Sequence, residues 1–151
     1  MKKTHHSHLA LLLIRVGLAL IFIAHGYAKI TSMPGTIGFF TAISIPWPVF
    51  TAYLVAYVEF LGGISLLLGV ASRFSALLLA IDMIGAIITV HFKNGFIAQG
   101  GYEYAFILVL ALISVIISGP GHICLWTCKH CKNCKDDKCE SHCSCSNYKN
   151  N

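Results

Sequence analysis

Three charged residues lie inside long apolar stretches of this chain. Glu59 stands near the middle of the run from Ala52 to Val70, Asp82 lies within the run from Phe74 to Val90, and Arg15 lies within the first apolar run. A charge at membrane depth costs several kcal/mol unless it faces the interior of a helix bundle and meets a partner. The pattern therefore predicts an intramembrane polar core formed by these three side chains.

Their spacing also predicts how they would meet. Counting about 1.5 Å per residue from the predicted cytoplasmic helix ends places Arg15, Asp82 and Glu59 roughly 9, 12 and 16 Å deep. The expected core is one guanidinium shared by two carboxylates, or paired with one while the other is protonated. Gly62 and Gly63 share the helical face of Glu59 and would let a neighbouring helix approach it closely. The alternative is a carboxylate that only fixes helix packing.

A second polar level is predicted at the opposite ends of the helices, and its members are His25, Lys29, His91, Tyr102 and Glu103. Histidine titrates near neutral pH, so this level suits proton exchange with a reducible ligand such as a quinone, or the docking of a partner side chain. The alternative is a set of separate interfacial residues. The long stem of Lys29 could extend to the headgroups, and the dipole of a helix start alone would favour Glu103 there.

The elements that must position these residues are four apolar segments. The composition is 56% hydrophobic and only 11% charged, which excludes an ordinary soluble domain. In lipid the backbone must satisfy its own hydrogen bonds, so each segment is predicted to be a helix. The expected fold is an all-α membrane protein, a bundle of four transmembrane helices over residues 1–121 with an extra Cys-rich tail over residues 122–151. The segments are Leu9 to Ala28, Ala52 to Val70, Phe74 to Val90 and Tyr104 to Ser118.

The basic residues predict the orientation. Lys2, Lys3, Arg73 and five basic residues beyond position 128 flank the segments on one side, so the positive-inside rule puts both termini in the cytoplasm and the bundle in the cytoplasmic membrane. The net charge of +5 is accordingly interpreted as topology and not as nucleic-acid binding. The first apolar run could instead be a signal peptide, but it is too long and lacks a small-x-small cleavage site. It is therefore expected to be a retained helix.

The longest connection runs from Thr31 to Thr51. Its Pro46-Trp47-Pro48 sequence cannot lie in a helix interior and predicts a corner at the membrane interface. Between Pro34 and Pro46 a short helix is expected to lie on the outer face, with its phenylalanines anchored in lipid.

The C-terminal tail carries all seven cysteines of the chain. In a reducing cytoplasm disulfides are disfavoured, and soft thiolate ligands suit zinc or copper(I). The alternative is a solvated, disordered tail with reactive thiols. The predicted metal ligands are Cys128, Cys131, Cys134, Cys139, Cys143 and Cys145.

Several segments in the first 121 residues together resemble the DoxX family of small bacterial and archaeal membrane proteins. The resemblance implies a four-helix membrane bundle and a link to sulfur and thiol redox chemistry, since the family takes its name from a subunit of a thiosulfate:quinone oxidoreductase. The cysteine tail is an addition that the family does not explain. The matching segments are Arg15-x-x-Leu18 with Phe22 to Lys29, Glu59 to Gly63 with Leu66 to Gly69, Ser72-Arg73, Ala86 to His91, Gly100 to Tyr104 and Gly119 to Gly121.

Three functions remain open from the sequence. The first is a redox-linked subunit, or a membrane anchor for one, that passes electrons from a sulfur or thiol donor to quinone together with an oxidoreductase or sulfurtransferase partner. The second is a small proton-coupled transporter built on the intramembrane charges, although no inverted repeat supports it. The third is a metal-binding membrane protein that acts through its tail. Each could assemble as a homo-oligomer.

Overall fold

The computed structural model describes residues 4–92, 95–97 and 100–119, with side chains from Leu9 onward. This part of the chain is helical and contains no strand. Its elements in order are α1 (Thr4–Thr31), α2 (Met33–Ala42), α3 (Pro48–Leu68), α4 (Ser72–Ala86), a π-helical turn (Ile87–His91) and α5 (Glu103–Ser118).

The predicted all-helical membrane fold is confirmed in its main feature. Three helical stretches are long and apolar enough to cross a membrane: Leu9–Thr31, Pro48–Leu68 and Ser72–His91. The fourth apolar segment is also helical, but α5 has 16 residues and is shorter than these three.

The closest approach in the bundle is between α1 and α3, which pack more extensively against each other than any other pair of described helices. Gly26 has no room for a side chain, since a Cβ there would lie 2.5 Å from the backbone nitrogen of Phe60. A Cβ on Gly63 would similarly lie 2.9 Å from the backbone nitrogen of Ile23. Small residues at these points let the two backbones meet, which fixes the antiparallel register of the helices.

At the other end of this helix pair, α3 ends at Leu68 and the chain turns through Gly69, whose φ is 76°. The last carbonyl groups of a helix lack partners within it. Arg15 of α1, which is only 2% exposed, supplies donors here: its Nε and one terminal nitrogen lie 3.2 and 3.0 Å from the Leu66 carbonyl oxygen. This end therefore holds a buried charge against a helix terminus.

The apolar core joins α1, α3, α4 and α5. Its fully buried members include Phe22, Leu66, Leu79, Leu112 and Val115. After the α1–α3 pair, α4 and α5 pack most extensively against each other. A single cluster of buried side chains thus holds the second pair against the first.

The short helix α2 lies in the connection, as the sequence predicts, although it begins before Pro34. The two phenylalanines of α2 behave differently: Phe39 is exposed, whereas Phe40 is buried with Ala52 and Ala56 of α3. The expectation that both anchor in lipid is corrected for Phe40, because α2 packs one face against α3. The predicted corner is present, with Trp47 exposed before α3, and its position at the membrane interface stays a prediction.

The π-helical turn extends α4 from Ile87 to His91. It begins at a run of β-branched residues, Ile87-Ile88-Thr89-Val90, and such side chains crowd the preceding turn of an α-helix. Single π turns inside α-helices often accompany functional sites.

Candidate functional site

A cavity of about 560 Å³ lies between the helices and is lined by residues of all five helices and the π turn. Its walls are mostly apolar, with Phe22, Phe40 and Leu108 among them. Into these walls are set several side chains that can hold or transfer a proton, namely His25, Lys29, Glu59, Asp82, His91 and Tyr104. An apolar cleft with a few convergent polar groups is the usual form of a small-molecule site.

The centre of the site is an ion pair between α1 and α3. The Lys29 ammonium group donates directly to the Glu59 carboxylate. The Glu59 side chain is 2% exposed and that of Lys29 is 26% exposed. Lys29 therefore neutralises a buried carboxylate and does not extend freely to the headgroups, which was the simpler interpretation of a lysine at this position.

This arrangement corrects the predicted pairing of Arg15 with Glu59. The antiparallel register places Arg15 at the Leu66 end of α3, and it places Lys29 beside Glu59. Arg15 lies 14 residues before Lys29, which corresponds to about 21 Å along a helix. The prediction placed Arg15 and Glu59 at similar depths because it counted from assumed helix ends, but the packing of α1 against α3 keeps them apart.

Asp82 of α4 completes the acidic side of the cavity. Its carboxyl group is hydrogen-bonded to that of Glu59, and it also feels the charge of the Lys29 ammonium group. Its Oδ2 atom is buried and has no hydrogen-bond partner among the described residues. The predicted association of Glu59 with Asp82 is present, but the cation paired with Glu59 is the Lys29 ammonium group and not the Arg15 guanidinium.

Two histidines line the same cavity from different elements, His25 from α1 and His91 from the π turn. The His91 Nδ1 atom lies 2.7 Å from the carbonyl oxygen of Gly100. A carbonyl oxygen can only accept, so Nδ1 carries the hydrogen and donates it. The Nε2 atom of a neutral His91 is then the nitrogen that can accept a proton.

The structure divides the predicted second polar level. His25, Lys29 and His91 line the cavity, whereas Tyr102 and Glu103 do not. Tyr102 stacks on Phe92 and contacts Phe96 edge to face, and Glu103 is exposed at the start of α5. Tyr102 is half-buried in this aromatic cluster, whereas Glu103 is exposed.

Tyr104 lines the cavity in their place, together with the hydroxyl-bearing Thr51 and Thr89. The predicted polar level included the neighbouring Tyr102 and Glu103 but not Tyr104. Its spacing of four from the buried Leu108 is a signal that could have found it, since residues four apart share a helix face.

Within residues 4–92, 95–97 and 100–119 no group of three or more His, Cys, Asp or Glu side chains is arranged to hold a metal ion. The predicted tail ligands, Cys128 to Cys145, lie outside the described residues.

Taken together, the apolar spans and the charged cavity between them define a small helical membrane protein. The chain belongs to the DoxX family, whose family model matches residues 10–92. It is 40% identical over 114 residues to the Bacillus subtilis (strain 168) protein named "Putative oxidoreductase CatD", covering 76% of this chain and 82% of that protein. It is 33% identical over 121 residues to "Uncharacterized membrane protein Rv3486" of Mycobacterium tuberculosis (strain ATCC 25618 / H37Rv), covering 72% and 74% respectively. No solved structure matches the chain significantly.

Proposed function

We propose that this protein is a redox-linked subunit of a membrane oxidoreductase that binds a quinone head group in the cavity. The observation that carries the proposal is the cavity itself, in which apolar walls surround the Lys29–Glu59 pair, Asp82 and two histidines. The name of the Bacillus relative, which includes the word oxidoreductase, supports the same class of chemistry.

The side chains suit the two states of a quinone. A quinone offers two carbonyl oxygens, which need hydrogen-bond donors, and its reduction consumes two protons. Lys29 and the histidines can donate, and His91 Nε2 and the carboxylates can accept. A volume of about 560 Å³ is within the usual range of about 300–1,000 Å³ for small-molecule sites.

The electrons would come from a partner. By its resemblance to a family linked to thiosulfate and thiol oxidation, this chain would receive them from a sulfur or thiol donor held by an oxidoreductase or sulfurtransferase. The protein would then contribute the quinone site and the membrane anchor, and the partner would contribute the donor.

The proposal also covers the number of membrane spans and the orientation of the bundle. The helix α5 would cross as a fourth span; its 16 residues correspond to about 24 Å, which is somewhat less than a hydrocarbon core of about 30 Å. Local thinning of the bilayer or the polar flanks of α5 would accommodate the difference. The bundle would lie in the cytoplasmic membrane with both termini in the cytoplasm, as the basic residues predict.

The Cys-rich tail would bind zinc or copper(I) in the cytoplasm. Metal analysis of the full chain and of a chain ending at Gly121 tests this directly. Roughly stoichiometric zinc or copper in the full chain only is expected, and equal metal content in both would contradict it.

Binding of decylubiquinone, a soluble quinone, to protein purified in mild detergent tests the function. We expect saturable binding that His91→Ala and His25→Ala weaken about tenfold or more, because each removes a polar group from the cavity wall. Glu103→Gln is the matched control, since Glu103 is exposed and does not line the cavity. Equal binding by the control and the cavity variants would place any bound quinone elsewhere, and absence of saturable binding would refute the function.

A further inference from the structure

One residue of the cavity wall has a role that the proposed function leaves open. Asp82 lines the cavity, and its buried Oδ2 atom has no hydrogen-bond partner among the described residues. The Asp82 carboxyl group is hydrogen-bonded to that of Glu59, and two carboxyl groups can share a hydrogen bond only if one of them carries a proton. Because Asp82 also lines the cavity, this proton can pass to a bound ligand.

The two carboxyl groups of the site differ in their surroundings. Glu59 is paired directly with the Lys29 ammonium group, so its charge is already balanced. Asp82 interacts with the same pair but has no cation of its own among the described residues. Two carboxylates and one ammonium leave one negative charge in an apolar setting, and a buried charge without compensation is costly. A proton on Asp82 removes that charge without disturbing the ion pair.

We propose that Asp82 is the group that exchanges a proton with the ligand, and that its protonation state selects the oxidation state of the quinone. Protonated Asp82 donates a hydrogen bond to a quinone carbonyl oxygen. The Asp82 carboxylate accepts a hydrogen bond from a quinol hydroxyl group. This inference rests on the proposed function and specifies the residue and the two ligand forms involved.

The reaction balances with a thiol donor on the partner. Two thiols of the partner are oxidised to a disulfide and give up two electrons and two protons, and the quinone takes up two electrons and two protons. At one quinone oxygen the Asp82 O–H bond breaks and a new O–H bond forms. The second oxygen takes its proton from solvent through His25, which is exposed and lines the same cavity. After the quinol leaves, Asp82 regains a proton from solvent.

Other titratable groups face the same cavity and must be separated from Asp82 in any test. They are His25 and Lys29 from α1, Glu59 from α3, His91 from the π turn and Tyr104 from α5. Asp82→Asn leaves all of them in place. Its amide retains a donor and an acceptor in nearly the same shape but cannot exchange a proton.

The experiment compares decylubiquinone with anaerobic decylubiquinol on the full chain in lipid nanodiscs, across a range of pH. In the wild type, the preference for quinol over quinone should rise by up to about tenfold per pH unit, as expected when the two complexes differ by one proton. In Asp82→Asn that preference should be independent of pH, with quinone affinity kept within about threefold. Glu103→Gln should behave like the wild type.

A second measurement requires no variant. Replacing bound quinone by quinol on the wild-type protein should release about one proton per protein into a weakly buffered medium. No release overturns the role of Asp82, and so does a pH-dependent preference that survives in Asp82→Asn. In both cases quinone binding itself persists, so the proposed function stands. If the wild type binds neither form, the proposed function fails and this inference fails with it.

Discussion

The Lys29–Glu59 ion pair makes an asymmetric prediction about stability. Removing one partner of a buried pair leaves the other charge uncompensated, which costs about 3–5 kcal/mol when that charge is fully buried. Glu59 is 2% exposed, so Lys29→Gln should destabilise the protein by close to that amount. Lys29 is 26% exposed, and its flexible stem can carry the ammonium group toward water.

Glu59→Gln should therefore cost less, about 1.5–3 kcal/mol, which is the usual contribution of a hydrogen bond to a charged group. The double variant Lys29→Gln/Glu59→Gln should recover part of the summed loss, because neither charge is then stranded. Reversible unfolding in mixed micelles, followed by circular dichroism for the wild type, both single variants and the double variant, gives the coupling free energy. Strictly additive losses, or a larger loss for Glu59→Gln than for Lys29→Gln, would refute the reasoning.

Three further outcomes are expected. Arg15→Gln and Glu59→Gln should be additive within about 0.5 kcal/mol in the same assay, because the two sites lie far apart along α1 and α3; a coupling above 1 kcal/mol would restore the pairing that the sequence suggested. Gly26→Ala should destabilise by about 1–3 kcal/mol through its clash with α3, whereas Gly17→Ala, which meets nothing within 4 Å, should be neutral or slightly stabilising; equal effects would contradict the close approach. An impermeant thiol reagent should label Cys128 to Cys145 only after intact cells are permeabilised, and labelling from outside would reverse the topology.

The sequence was sufficient to predict which charged side chains are buried, but not which cation pairs with which carboxylate. Burial of Arg15 and Glu59 follows from the cost of charge in lipid, and both are 2% exposed in the structure. Which cation meets which acid depends on how far two helices slide past each other. That register is set where Gly26 meets Phe60, and single-helix reasoning cannot supply it.

For the cavity, too, the sequence predicts the position of a residue along its helix but not whether its side chain faces inward. His25, Lys29 and His91 were predictable as one polar level, because position along each helix is a local property. Tyr102 and Glu103 share that level approximately but do not line the cavity, since rotation about the axis of α5 decides which side chain faces inward. Tyr104 lines the cavity instead.

The π turn at the end of α4 has a geometrical consequence for the site. Asp82 and His91 are nine positions apart, so in an uninterrupted α-helix of about 100° per residue they would point in opposite directions. A π turn contains about one more residue than an α-helical turn. The angle around the helix axis between Asp82 and His91 is therefore smaller by roughly 90° than in an α-helix. Both side chains can then line one cavity, as they do here. Deleting one residue between Ile87 and Val90 would leave Asp82 and His91 eight positions apart, which is about 80° around an α-helix, so His91 would keep its side of the cavity without the π turn.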